Sequence, residues 1–309
     1  MKRRKKDEKH TCIIQERDRD LLIFLWKWKV ASASLLIQRF FPGTKPSTAY
    51  RRLWVLEKAN MLQSLCSPLG GRYVWTLGKA GFEVAKTFYP QLNEDGYKSE
   101  HVTHDLISMA FQLGPFAVSG ATDNMRFCSE QQLRRYMAES LSAWVPKNSV
   151  RRPDGYSLFI NPDDDSYTKV SYEVELHHKS SFYYQSYATF YNGREPVVDQ
   201  VHWLVGKPSI ANSIWFQIQQ TMKNSKVKTE HYFISYNDFV TDGLRAKTIC
   251  GSKENIPLCC ALPNYQKFYK TSAQHDVTGT ALTIAKTPHR STGCKILSLT
   301  DFGNCMGVH

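Results

Sequence analysis

The sequence predicts an α+β protein in two parts, and three observations carry that prediction. Apolar residues in the first 90 positions recur with helical spacing, break into a short alternating hairpin, and return to helical spacing. Beyond residue 100 the order becomes helix, strand, strand, helix, strand, which describes a mixed sheet covered by helices. Charge divides along the same line: residues 1–90 hold 18 Lys+Arg against 7 Asp+Glu, while the remaining 219 residues hold 22 against 21. Nearly all of the net charge of +12 therefore lies in the first part. That imbalance favours nucleic acid or another anionic surface as the partner.

A chain of 309 residues is long enough for two domains with separate cores. Hydrophobic content of 42%, with 13% aromatics, excludes a disordered chain. No apolar run approaches a membrane span, so no membrane partner is expected. The basic start lacks the apolar core of a signal peptide. The eight cysteines include no CxxC pair, and Cys250, Cys259, Cys260, Cys294 and Cys305 are scattered. Reduced thiols in a cytoplasmic protein are the expectation, ahead of a zinc site.

Residues 1–14 form a basic tail able to touch phosphates, or simply a solubilising leader. A first helix over residues 16–29 buries Leu21, Leu22, Leu25 and Trp28. Ser32 or Ser34 caps a second helix carrying Leu35, Leu36 and Phe40, and Pro42 with Gly43 stops it. The third helix starts at Lys45-Pro46-Ser47-Thr48. It turns Leu53, Leu56 and, on a flank, Val55 inward, leaving Thr48, Arg51 and Arg52 outward. Strands over residues 62–66 and 72–77 enclose a turn at 68–71, and a last helix runs on to Phe88. Three helices, a hairpin and a closing helix describe a winged helix-turn-helix, whose third helix enters the major groove. Thr48, Tyr50, Arg51 and Arg52 on that helix, with Arg72 on the wing, are the DNA-contact candidates. An arginine fork suits guanine edges and phosphates alike. The alternative use of such a domain is to dimerise or dock a protein.

Polar, turn-rich residues 89–96 set the boundary, giving domains over 15–90 and 91–240. The second opens with a helix holding His101, His104, Leu106, Ile107, Met109 and Phe111, in which His104 reads as a packed or capping histidine. Helices are expected over 130–144, 180–191 and 209–222, and strands over 151–160, 169–176, 201–205 and 231–235. The run VHWLV has the apolar continuity of a buried central strand. Residues 241–309 form an extension in which glycine, proline and cysteine interrupt every pattern.

The chemistry centres on residues 151–179. Asp154 opens one strand, and Glu173 and Glu175 share a face of the next, across a turn at 161–165. Pairing of the two strands gathers three carboxylates around one point. Such a set calls for a neutralising cation, and oxygen ligands suit Mg²⁺ or Mn²⁺. A metal ion there would activate water against a phosphodiester. Glu130 or Glu139 is a candidate fourth carboxylate. Lys179 lies six residues past Glu173 and reaches the site only if the chain turns into the next helix at once, with His177 and His178 as neighbours. Arg151 and Arg152 are placed to grip phosphate, and Gly155 permits close backbone approach. The competing reading is an acidic strand on a solvated sheet edge. The rings of Phe182, Tyr183, Tyr184, Tyr187, Phe190 and Tyr191 read as packing, with a covalent tyrosine nucleophile or base stacking as alternatives.

The segments RDRDLLIFLWKWKVASASLLIQRFF, STAYRRLWVLEKANML, GGRYVWTLGKAG, HVTHDLISMAF, RRPDGYSLF and YEVELHHKSSFYYQSYATFY together resemble the replication-relaxation family. The resemblance spans roughly residues 15–205. It implies a winged-helix DNA-binding domain, then a domain similar to PD-(D/E)xK nucleases, in proteins of plasmids and mobile elements. The acidic pattern then falls on Asp154, Glu173 and Glu175. Two positions depart from the nuclease pattern: Glu175 stands where lysine is usual, and Gln185 where a helical lysine would substitute. Three readings follow. The first is a DNA-binding protein of plasmid replication, transfer or their regulation, with duplex DNA and replication or transfer proteins as partners. The second is a Mg²⁺- or Mn²⁺-dependent DNA endonuclease with Asp154, Glu173, Glu175 and Lys179 as catalytic residues. The third is a transcriptional regulator whose second domain senses or dimerises, and a homodimer would suit palindromic sites.

Overall fold

The arrangement of residues 12–66, 73–147, 151–193, 197–222 and 229–262 is described by a computed structural model. The basic tail up to residue 11, the wing turn with Arg72, and residues beyond 262 lie outside the described residues.

The N-terminal part runs α1 (Glu16–Trp28), β1 (Ala31–Ser32), α2 (Ala33–Phe40), α3 (Pro46–Lys58), β2 (Leu62–Leu65), β3 (Val74–Leu77) and α4 (Lys79–Lys86). Its small sheet has the order β1-β3-β2, antiparallel throughout, with Leu62 opposite Leu77 and Leu65 opposite Val74. The helices form where the apolar spacing predicts them. Leu21, Leu22 and Leu25 of α1 are fully buried, as are Ala49, Leu53 and Leu56 of α3. Ser32 caps α2, its hydroxyl accepting from the Leu35 amide at 3.2 Å. Pro46 occupies the first turn of α3, where its missing N–H costs nothing. Val55 does not turn inward: it is 38% exposed, beside Trp54 at 39%.

The second part runs α5 (Val102–Leu113), α6 (Phe116–Ser119), β4 (Met125–Ser129), α7 (Glu130–Arg135), β5 (Gly155–Ile160), β6 (Tyr167–Glu175), α8 (Ser181–Tyr191), β7 (Gln200–Val205), α9 (Pro208–Met222), β8 (Glu230–Ser235), α10 (Tyr236–Asp242), β9 (Cys250–Gly251) and α11 (Leu258–Ala261). Six strands form one mixed sheet in the order β4-β5-β6-β7-β8-β9. The pairs β4–β5 and β5–β6 are antiparallel, β6–β7 and β7–β8 parallel, and β8–β9 antiparallel. Alternation sends Val170, Tyr172, Val174, Tyr232 and Ile234 to one face, packed with Ile107 and Phe111 of α5 and Phe239 of α10. The other face packs Val201, Trp203, Val205 and Phe233 against Tyr184, Tyr187 and Tyr191 of α8 and Ile210, Ile214 and Ile218 of α9. Strand β7 is thus buried on both sides, the arrangement its almost wholly apolar run predicts.

Two expectations need correction. Helix α7 stops at Arg135 instead of reaching residue 144. Gln131 and Arg135 donate back to the carbonyls of Gly96 and Asp95, and Tyr136 bridges to Leu92, which draws the chain out of helical geometry. The same contacts show that residues 92–96, read as a boundary, are strapped to the second part. Strand β4 is the other surprise, adding an edge strand on β5.

The two parts share a core. Met109, Leu113 and Ala117 join the cluster built by α1, α2 and α3. Polar links tie the same surface. The Lys27 amine donates to the Phe127 carbonyl at 2.6 Å, and the Ser129 hydroxyl donates to the Lys27 carbonyl at 2.7 Å. Arg39 donates to the carbonyls of Phe116 and Ala117 at 3.0 and 2.8 Å. Among the described residues no helix is long and apolar enough to cross a membrane. Cys12, Cys66, Cys128, Cys250, Cys259 and Cys260 are all free thiols.

Candidate functional site

Strand β6 supplies the acidic centre. Glu173 and Glu175 alternate onto the face covered by α8, and both are buried rather than on a solvated edge. Tyr191 donates its hydroxyl to Glu173 at 2.6 Å, and Tyr187 donates to Glu175 at 3.0 Å. The match is geometric. Two residues along a strand advance about 6.6 Å, and four along a helix about 6 Å, so two pairs meet in register. The aromatic spacing of α8 predicts packing, and these rings do pack; their two hydroxyls add polar contacts that the spacing alone does not predict. The signal was present in the tyrosines at i and i+4 facing glutamates at i and i+2.

Each glutamate also has a cation from the chain itself. Arg151 forks onto Glu173, Nε to Oε1 at 3.3 Å and Nη2 to Oε2 at 3.2 Å, and its guanidinium lies 3.1 Å over the Tyr187 ring. Lys179 reaches Glu175 at 2.7 Å and Tyr187 at 3.3 Å. It does so because the chain enters α8 immediately, with Ser180 at the cap. Arg151 is therefore engaged with a carboxylate of the chain, while Arg152 is exposed. Burial raises the Glu173 carboxyl to about 7, even against the pull of Arg151. Burial also raises Tyr187 and Tyr191, so both phenols stay protonated as donors.

Asp154 precedes β5 by one residue, and its amide donates to the Tyr172 carbonyl at 3.0 Å. Its side chain accepts from the Val174 amide at 2.6 Å and lies 3.5 Å from Nε2 of His104. Burial raises its carboxyl, opposed by His104 and the Val174 amide. Gly155 does allow a close approach, but by protein. A Cβ there would lie 2.1 Å from the Gln112 amide oxygen, and Gln112 donates to the carbonyls of Cys128 and Tyr156.

From His104 the polar chain continues into the N-terminal part. Its Nδ1 lies 3.8 Å from Asp105, which pairs with Lys29 at 3.0 Å, and Lys29 pairs with Glu130 at 2.6 Å. The Glu130 amide donates to the Asp154 carbonyl at 3.0 Å, closing the circuit. Burial opposes the charge on His104, yet Asp105 and Asp154 outweigh it and hold the imidazolium up to about 9. Burial likewise opposes the charges of Asp105 and Lys29; His104 and Lys29 outweigh it and lower the acid, and Asp105 and Glu130 outweigh it and raise the amine. Glu130, a candidate fourth ligand, is thus held by Lys29, and Glu139 lies exposed on a short turn of helix.

In this arrangement each of the three carboxylates is engaged by groups of the chain itself. Glu173 is taken by Arg151 and Tyr191, Glu175 by Lys179 and Tyr187, and Asp154 by a backbone amide and His104. Among the described residues no group of three or more His, Cys, Asp and Glu side chains converges to hold a metal.

The other candidate surface is α3. Ser47, Thr48 and Arg51 are exposed, and Tyr50 is half-buried against the core. Arg52 faces the protein instead. Its Nε donates to Asp18 at 3.1 Å, a second nitrogen pairs with the same carboxylate, and that nitrogen also donates to the Ile13 carbonyl at 2.7 Å. Asp18 is fully buried, so this arginine is committed to neutralising it. Arg72 lies outside the described residues.

Compared with protein-family models, with curated proteins and with solved structures, the chain shows no match.

Proposed function

We propose that the protein binds duplex DNA through the outward face of α3, and that its second part is a nuclease-type scaffold whose carboxylates are neutralised by the chain's own cations. One observation carries the reading: Ser47, Thr48, Arg51 and Lys58 are exposed on α3, within the 90 residues that hold almost all the net positive charge. The order helix, strand, helix, helix, two strands, helix supports a winged helix-turn-helix. A mixed sheet with Asp154 leading one strand and Glu173 on its neighbour supports kinship with PD-(D/E)xK domains. The segments that resemble the replication-relaxation family suggest plasmid or mobile-element replication, transfer or their regulation as the process served.

The test is an anisotropy titration with a labelled duplex across a salt series. Arg51→Ala weakens binding and lowers the salt slope by about one unit for a lost phosphate contact. Arg52→Ala acts on stability instead, because it strands buried Asp18. Unchanged affinity in Arg51→Ala refutes the interface. Endonuclease activity is the second reading, favoured by the position of Asp154 beside Glu173 across the β5–β6 pair, and it requires Arg151 to leave Glu173. Supercoiled DNA incubated with Mg²⁺ or Mn²⁺ is expected to stay intact. Nicking that disappears in Asp154→Ala and Glu173→Ala would overturn the scaffold reading.

A further inference from the structure

The exposed face of α3 carries a pattern that duplex phosphate binding leaves unused. Ser47, Arg51, Trp54 and Lys58 follow one another at helical spacing, and all four are exposed. An indole therefore sits between two cations, one turn from each. Arg51 and Lys58 are about 10 Å apart along the axis. Trp54 is held in place by its neighbours: its ring centroid lies 5.3 Å from that of Trp75 and 5.9 Å from that of Tyr73, edge-on to both. Tyr73, entering β3, is itself 43% exposed and widens the aromatic surface.

Exposed Trp and Tyr rings add apolar surface that a purely ionic DNA contact does not need. A base edge in an intact groove offers hydrogen-bonding groups, whereas an unpaired base offers a π-face. Aromatic rings interleaved with cations are the chemistry that receives such bases, the rings stacking while the cations follow the phosphates.

We infer that Trp54, with Tyr73 beside it, is a stacking site for an unpaired DNA base, so that α3 engages duplex carrying locally opened or bulged bases in preference to perfect duplex. The inference rests on α3 being the DNA-binding face and names the substrate form that face takes. Charge complementarity favours DNA over a second copy of this chain, whose corresponding surface would bring Arg51 and Lys58 against like charges.

The test uses the full chain and three labelled probes: a perfect duplex, the same duplex with one extra unpaired thymine, and a duplex with an abasic bulge. The thymine bulge is expected to bind about tenfold tighter than the perfect duplex. The abasic bulge should lose that gain, since its backbone bends without presenting a base. Trp54→Ala should abolish the preference for the thymine bulge over the perfect duplex, and Trp54→Phe should keep most of it. Equal affinity of the wild type for all three probes, or an undiminished preference in Trp54→Ala, overturns the inference and leaves duplex binding standing. Loss of all perfect-duplex binding with a retained, Trp54-dependent preference for the bulge would refute the proposed function and not the stacking site.

Discussion

Lys29 closes α1 with a positive φ of 64°, an uncommon conformation for a side-chain-bearing residue. That backbone sends its amine out of the N-terminal part and between Asp105 and Glu130 of the second. The lysine and Asp105 are both nearly buried, at 10% and 7% side-chain exposure, so little water is at hand to replace a lost partner. Lys29→Ala therefore leaves buried Asp105 with only His104 and the Ser99 hydroxyl as partners. Breaking a buried pair from one side costs about 3 to 5 kcal/mol. For a chain of this size that corresponds to a fall in Tm of about 10 °C. Urea and thermal unfolding of the wild type, Lys29→Ala, Asp105→Asn and the double variant form a cycle. The double variant should be less destabilised than the two single changes combined, by at least about 1 kcal/mol. A Tm change under about 2 °C in Lys29→Ala, or strict additivity in the cycle, would refute the assignment of Lys29 as the ionic joint between the parts.

Three further outcomes follow from the same geometry. The His104 pKa is raised to about 9, so its contribution is complete below the ordinary value of 6.5 and fades as pH rises through about 9. His104→Gln should accordingly be less stable than wild type at pH 6 and equal to it well above pH 9, measured by denaturant midpoints. Glu173 is raised from 4.5 to about 7, so the fold binds more protons there than the unfolded chain across that window. Stability should fall as pH climbs from 4.5 to 7, and Glu173→Gln should remove that part of the slope. Tyr191→Phe takes a donor from buried Glu173 and should cost about 1 to 3 kcal/mol in a urea titration, with a further rise in the Glu173 pKa followed by NMR.

Residues whose partners lie nearby in sequence were the legible ones. The Ser32 cap, the buried stripes of α1 and α3, the apolar run of β7 and the alternation of Glu173 with Glu175 all follow from spacing alone. The polar side of its helix predicts an outward Arg52, but Asp18, 34 residues earlier, claims it. Arg151 stands close to Asp154 in sequence, yet its guanidinium turns to Glu173, 22 residues on. Tertiary ion pairs of this kind have no local period to betray them. Strand β4 has a similar explanation: its five residues MRFCS do not alternate cleanly, and pairing with β5 is what makes them a strand.

The paired tyrosines and glutamates also make α8 sensitive to length in a way its neighbours are not. One residue inserted between Tyr187 and Tyr191 rotates everything after it by about 100°. Only one of the two hydroxyls could then still face β6, and a buried carboxylate would lose its donor. The five residues joining β6 to α8 are constrained differently, since Lys179 among them reaches Glu175 only because the chain enters α8 at once. The interval between two hydroxyls thus works as a gauge against the strand. In sequences descended from this one, insertions and deletions should collect outside that interval and be scarce within it.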